Sequence, residues 1–359
     1  MTRHRTGHVR QMKKGRFRNM KSCRFTGLCQ FLGVVFLCCQ LQAQTSLKLT
    51  LLKTIPLAEY TGSFDHFAFD ETRGLIFLAA EDQGTVEVLD LHNGTHLRTI
   101  TGFTKPHSIL VRPGAATILV TDSGASKSAL LSASTYKRIK SLKLALGANC
   151  LLYDAQRNRA YVTAGGDRVH LSDSSLLAVN PDTGIVLKLV FIPSIHLQPM
   201  AFDPVTNRLF LNMADKDTIA VLDGDSLRMI AEWKINVAKD NSPIAFDSAH
   251  HRIFVVCDDP GVLVVLNSET GRITNAISVP ADADDMDFDA SSHRLYIPGG
   301  DGFLGVYDTR DADHVTQIAR IVTHKGAKTG LLIPSEHKYI VAAPASGKNA
   351  AEVMVFNIH

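Results

Sequence analysis

The sequence predicts an all-β chain: a seven-bladed β-propeller of four-stranded antiparallel blades, closed by its own N-terminal strand. Three observations predict it. One phrase, an apolar tripeptide, usually an Asp, a polar turn and a second apolar run, recurs seven times. The copies lie 42 to 49 residues apart. No long stretch carries helical periodicity.

The phrase is clearest in FAFDETRGLIF, LLYDAQRNRAY, AFDPVTNRLF, IAFDSAHHRIF and MDFDASSHRLY, which place a marker Asp at Asp70, Asp154, Asp203, Asp247 and Asp289. Two weaker copies put Arg112 and Pro334 in that place. Each copy opens with an apolar first strand. After a polar turn comes a β-branched or aromatic second strand such as IFVVCD or LYIPGG. A third strand (TVEVLDL, TIAVLDG) leads through a hairpin signal (HNGT, PDTG, SETG) into a fourth. Four short strands per 40–50 residues is the pattern of a propeller blade. One such sheet cannot bury both faces, so neighbouring blades must cover it. The seventh copy ends after its third strand. LKLTLLKTIPL, residues 47–57, stands before the first copy as a fourth strand stands before every other copy. It is expected to complete blade seven and remove an open sheet edge.

The N-terminus reads differently. Nine Lys/Arg and no acid fall in residues 1–24, followed by the apolar run FLGVVFLCC and small residues near Ala43. That order predicts an export signal over 1–43, with Met12 and Met20 as alternative starts and a single propeller domain over 44–359. The apolar run is short for a bilayer span. Without residues 1–43 the chain keeps 29 of its 38 basic residues and all 35 acids, a net charge of −6. That acidic balance argues against nucleic acid as a partner. Cys150 and Cys257 are left, both in apolar strand-like runs and two repeat units apart, with no CxxC or zinc spacing. Composition, 45% hydrophobic and 20% charged, is that of a globular body.

Tyr161-Val162-Thr163, with looser copies such as Ile118–Asp122 and the third-strand pattern Val88–Asp90 and Val221–Asp223, resembles the YVTN-repeat, or YncE-like, family of propellers. The resemblance covers about residues 47–359 and implies a seven-bladed ring and an exported protein. It supplies no catalytic motif. Some members of that family are linked with DNA or cell-surface binding.

Propellers usually bind ligands at one mouth of the channel. Five residues before each marker stand Asp65, His107, Asn149, Gln198, Ser242, Asp284 and Thr329, all polar; three before it stand only apolar residues. The level change marks either solvated strand starts or a binding mouth. Asp65-His66 with His107 forms one cluster there, and Asp284, Asp285 and Asp287 form another. Asp287 replaces the Ala or Leu found two before every other marker. Carboxylates gathered without a neighbouring base favour a hard cation such as Ca2+ or a cationic ligand. Asp65, Asn149 and Asp284 are the candidate metal ligands, imitating the set used by metal-dependent lactonases on six-bladed propellers, although no Glu stands on the ring. His66 and His107 are candidate bases. A longer second-to-third connection in blade three and the FIPSIHLQP segment after its fourth strand add Arg168, His170 and His196 as contacts. Ser134–Lys137 fits S-x-x-K but lies at an outer hairpin. The sequence thus predicts an exported, non-catalytic binding or scaffold propeller that takes a small molecule, peptide or protein at its mouth. A metal-dependent hydrolase of lactonase type is the competing class, and a DNA-binding propeller a third.

Overall fold

A computed structural model describes residues 49–124 and 127–359; the expected export signal lies outside them. Seven four-stranded antiparallel sheets follow one another along the chain, and the described residues contain no α-helix. No helix among them is long and apolar enough to cross a membrane. The first, innermost strands are Phe67–Asp70, Pro106–Leu110, Leu151–Asp154, Leu197–Asp203, Lys239–Asp247, Asp287–Asp289 and Thr329–Ile333. They define blades one to seven.

Side chains alternate between the two faces of a strand, so each blade presents one apolar set to each neighbour. The result is seven separate buried clusters, one at each blade interface. Phe77 and Val88 of blade one, for example, pack on Ile109 and Ile118 of blade two. Second and third strands are almost wholly buried, while the fourth strand of blade one, Thr95–Ile100, is exposed along most of its length. Leu49–Pro56 pairs antiparallel with Glu352–Ile358, with a bulge between Leu51 and Lys53. The expected closure is therefore observed; the strand ends at Pro56, one residue before the expected Leu57, and residues 47 and 48 lie outside the described ones. Ile55 of this strand is fully buried among Val353 and Val355 of blade seven and Ile76 and Leu78 of blade one.

The marker residues sit where each first strand turns back. Asp70, Asp154, Asp203, Asp247 and Asp289 each accept backbone N–H bonds from the following turn. This Asx-type turn explains why the Asp recurs. Cys150 and Cys257 are both free and buried. Burial, then the nearby Asp258, pushes the Cys257 thiol up to about 12, as befits an inert core residue.

Candidate functional site

The inner strands converge on a central channel with a cavity of about 210 Å³. Every blade contributes the residues three and four before its marker. The apolar layer expected three before the marker does line it, from Phe67 to Leu331. The polar candidates five before the marker behave differently from a solvated rim. Asp65, His107, Asn149, Ser242 and Thr329 are buried, and only Gln198 and Asp284 are partly exposed. Their side chains work at the joints between blades: His107 bonds Asp65 through Nδ1, and Thr329 Oγ1 lies 3.5 Å from the Phe64 carbonyl. The layer facing the channel is one residue further along, and it includes His66, Ser108, Cys150 and Asp285.

His66 is the centre of the charge network. Its Nδ1 lies 2.7 Å from Asp285 Oδ1 of blade six, and its Nε2 lies 3.3 Å from Asp65 Oδ1. Burial favours the neutral ring, but the charges of Asp65 and then Asp285 outweigh it and hold the imidazolium well above the ordinary range of histidine. Burial likewise opposes ionisation of Asp65. His66, then His107 and its hydrogen bond, reverse that and hold its carboxyl well below the usual carboxylate range.

The acidic run of blade six has a structural role. The first strand of blade seven has a free edge toward the channel, and its N–H groups need acceptors. Asp285 Oδ2 accepts from Gly330 N–H at 3.1 Å, and Asp287 Oδ2 from Leu332 N–H at 3.2 Å. Position 330 must be Gly, because a Cβ there would meet the Tyr339 hydroxyl at 2.5 Å. Burial, then the charge of Asp285, pushes the Asp287 carboxyl up to about 7. Asp284 also rises to about 7 through burial, although its Oδ2 is 3.2 Å from the Lys328 ammonium. Burial opposes the charge of Lys328, but Asp284 and Asp282 overcome this and keep it protonated.

Beside the channel a small cavity of about 70 Å³ is lined by Asp65, Asn149, Gln198, Ser242 and Asp284, together with Glu81, Arg168 and Lys328. The three expected metal ligands thus share one lining. Among the described residues, the mouth group of His, Cys, Asp and Glu that brings ligand atoms within 4.8 Å of one another is Asp65, Glu81 and His107. Glu81 starts the short 3-10 turn after the second strand of blade one and was not read from the sequence. Aligning the copies on their markers would have exposed it, since eleven residues after the marker Glu81 and Asp258 are the acids. Cations crowd this group: Lys105 Nζ is 3.4 Å from Glu81, and the Arg168 charge acts on Asp65. Of the blade-three contacts, Arg168 lines the small cavity, and His196 lies 3.2 Å from both Arg168 Nη2 and Gln198 Nε2. His170 stays exposed.

No protein-family model matches the chain, and no curated protein matches it. Among solved structures it is similar to a chain in the crystal structure of the mitotic checkpoint complex, with 12% identity and a TM-score of 0.71 over 88% of this chain and 94% of that one. The shared feature is the β-propeller fold. At that identity the likeness speaks for fold alone, and 1659 solved chains match, so chemistry must be argued from the mouth itself.

Proposed function

We propose that this is an exported, non-catalytic binding propeller of YncE-like type, which holds a small polar ligand at the channel mouth. The observation that carries the reading is the mixed lining of the mouth cavity: Arg168 and Lys328, the amides of Asn149 and Gln198, the Ser242 hydroxyl and the carboxylates of Asp65, Glu81 and Asp284. Donors and acceptors of both charges at one small opening match a zwitterionic molecule, such as an amino acid or the end of a peptide. The carboxylates already have partners in Lys328, Lys105, His66 and His107, which weakens their claim on a metal.

A metal-dependent hydrolase of lactonase type is the second reading, favoured by Glu81 meeting Asp65 and His107. A thermal-shift screen of amino acids and short peptides separates the two. Binding predicts a rise in melting temperature that is lost in Arg168→Ala and Lys328→Ala. No shift from any zwitterion, together with chelator-sensitive lactone turnover abolished by Glu81→Gln, would replace binding with hydrolysis.

A further inference from the structure

The opposite end of the ring, where the first strands turn back, holds a second constellation. Asp247, His250 and His293 bring ligand atoms within 4.8 Å of one another, across the joint between blades five and six. Asp247 is 1% exposed. Its Oδ1 accepts the N–H groups of Ala249 and His250, and its Oδ2 lies 2.6 Å from His250 Nδ1. The rings of His250 and His293 meet edge to face, 5.5 Å between centroids.

The bond from Asp247 to His250 carries little by itself. Other markers bond the side chain three residues on in the same way: Arg73, Arg157, Thr206 and Ser292. His293 is what differs. One residue further along the same turn, blades three and four place Asn158 and Asn207. Their amides donate to Asp182 and to Asp223 and Asp225 respectively. His293 shares their left-handed backbone, at φ 51° against 47° and 55°. Its Nδ1 is buried and has no hydrogen-bond partner. A buried ring nitrogen without a partner forfeits its hydration for nothing, unless something binds there.

We propose that Asp247, His250 and His293 form a site for a borderline divalent cation, with Zn2+ the best fit. Two imidazoles and one carboxylate suit zinc and its neighbours and not Ca2+ or Mg2+. Tetrahedral zinc holds N and O ligands about 3.3 Å apart; here the three ligand atoms lie within 4.8 Å of one another, with Asp247 and His250 at 2.6 Å. The backbone carrying both histidines is held in place. The His293 carbonyl accepts from Thr309 N–H, and the His250 carbonyl from Arg252 Nη1. Arg252, the nearest cation on this turn, is turned to Asp313 through bonds of 2.8 and 2.9 Å. Three protein ligands leave a fourth position for water, and the metal would clamp blade five to blade six.

The test uses the full chain, stripped with chelator and titrated with Zn2+ by calorimetry, with Co2+ absorption as a second readout. His293→Asn installs the residue that blades three and four tolerate at this backbone angle. His250→Ser copies the Ser292 of blade six. Wild type should take up one Zn2+ at this site. Each variant should bind it at least about 100-fold more weakly and lose the imidazole-bound cobalt spectrum, with an unchanged melting temperature in chelator. No zinc uptake by wild type would overturn the proposal. So would unchanged affinity in His293→Asn, or zinc binding that is lost in Glu81→Gln and kept in His293→Asn, which would place the ion at the mouth.

Discussion

The two ends of the ring use the same residue type in opposite ways. At the turn-back end each marker carboxylate bonds within its own turn, as Asp203 does with Val205, Thr206 and the Thr206 hydroxyl. At the mouth the carboxylates reach other blades: Asp285 to His66 of blade one and to Gly330 of blade seven, Asp65 to His107 of blade two. One end carries five repeated carboxylate turns, and the other is a single network. A local device can be lost alone; a network member takes its partners' compensation with it.

The largest expected effect follows from breaking the network at its centre. His66→Ala leaves Asp65 and Asp285 facing each other without their cation. These side chains keep only 12% and 19% of their surface in solvent. The loss should be about 3 kcal/mol in urea unfolding, the lower end for removing one partner of a buried pair. A loss below 1 kcal/mol would mean that the mouth behaves like the other end.

A second effect separates the ends by pH. The Asp287 carboxyl moves from an ordinary 3.8 to about 7 on folding. Between those values the unfolded chain gives up a proton that the folded chain retains, so this group costs stability progressively as pH rises from about 4 to 7. Asp287→Asn lacks the titration and can still accept from Leu332 N–H. Its melting temperature should gain on wild type across that window and stop gaining above it. Asp289 sits at the other end, where burial is outweighed by its bonds to Ser291 and Ser292, which lower the carboxyl; Asp289→Asn should gain nothing on wild type across that window.

The smallest effect is at the markers. Asp203→Ala removes bonds to turn groups that water can replace, at a cost of about 1 kcal/mol. Combined with Asp154→Ala, a neighbour with which it shares no bonding partner, the two losses should add within about 0.5 kcal/mol. Marked non-additivity in urea titrations would show that the turns are coupled around the ring.

The same contrast explains what was legible in the sequence. The marker Asp was readable because its role is local and recurs at a regular interval. Blade number and closure followed from that interval. Asp287 stood out as the one carboxylate among Ala and Leu, but its partner, the Leu332 N–H, lies in another blade. His66 and Asp285 are 219 residues apart, and no spacing rule connects them; only the closed ring does. Strand length was unreadable for a related reason. The first strand of blade five runs nine residues, Lys239–Asp247, and that of blade six only three, Asp287–Asp289. In blade six the N–H groups of Asp284 and Asp285 turn to the Lys328 carbonyl of blade seven, a choice made by the neighbour and invisible in the run itself.

Pairing of Leu49–Pro56 with Glu352–Ile358 also sets a clock for biosynthesis. Leu49–Pro56 leaves the ribosome well before Glu352–Ile358 and must wait for it before it finds its place. Until then Ile55 has no blade-seven side chains to cover it, and the ring stays open like an unfastened bracelet. A product that stops short of Glu352 therefore carries raw sheet margins, a ready target for chaperones and proteases, and only synthesis of that strand fastens the clasp.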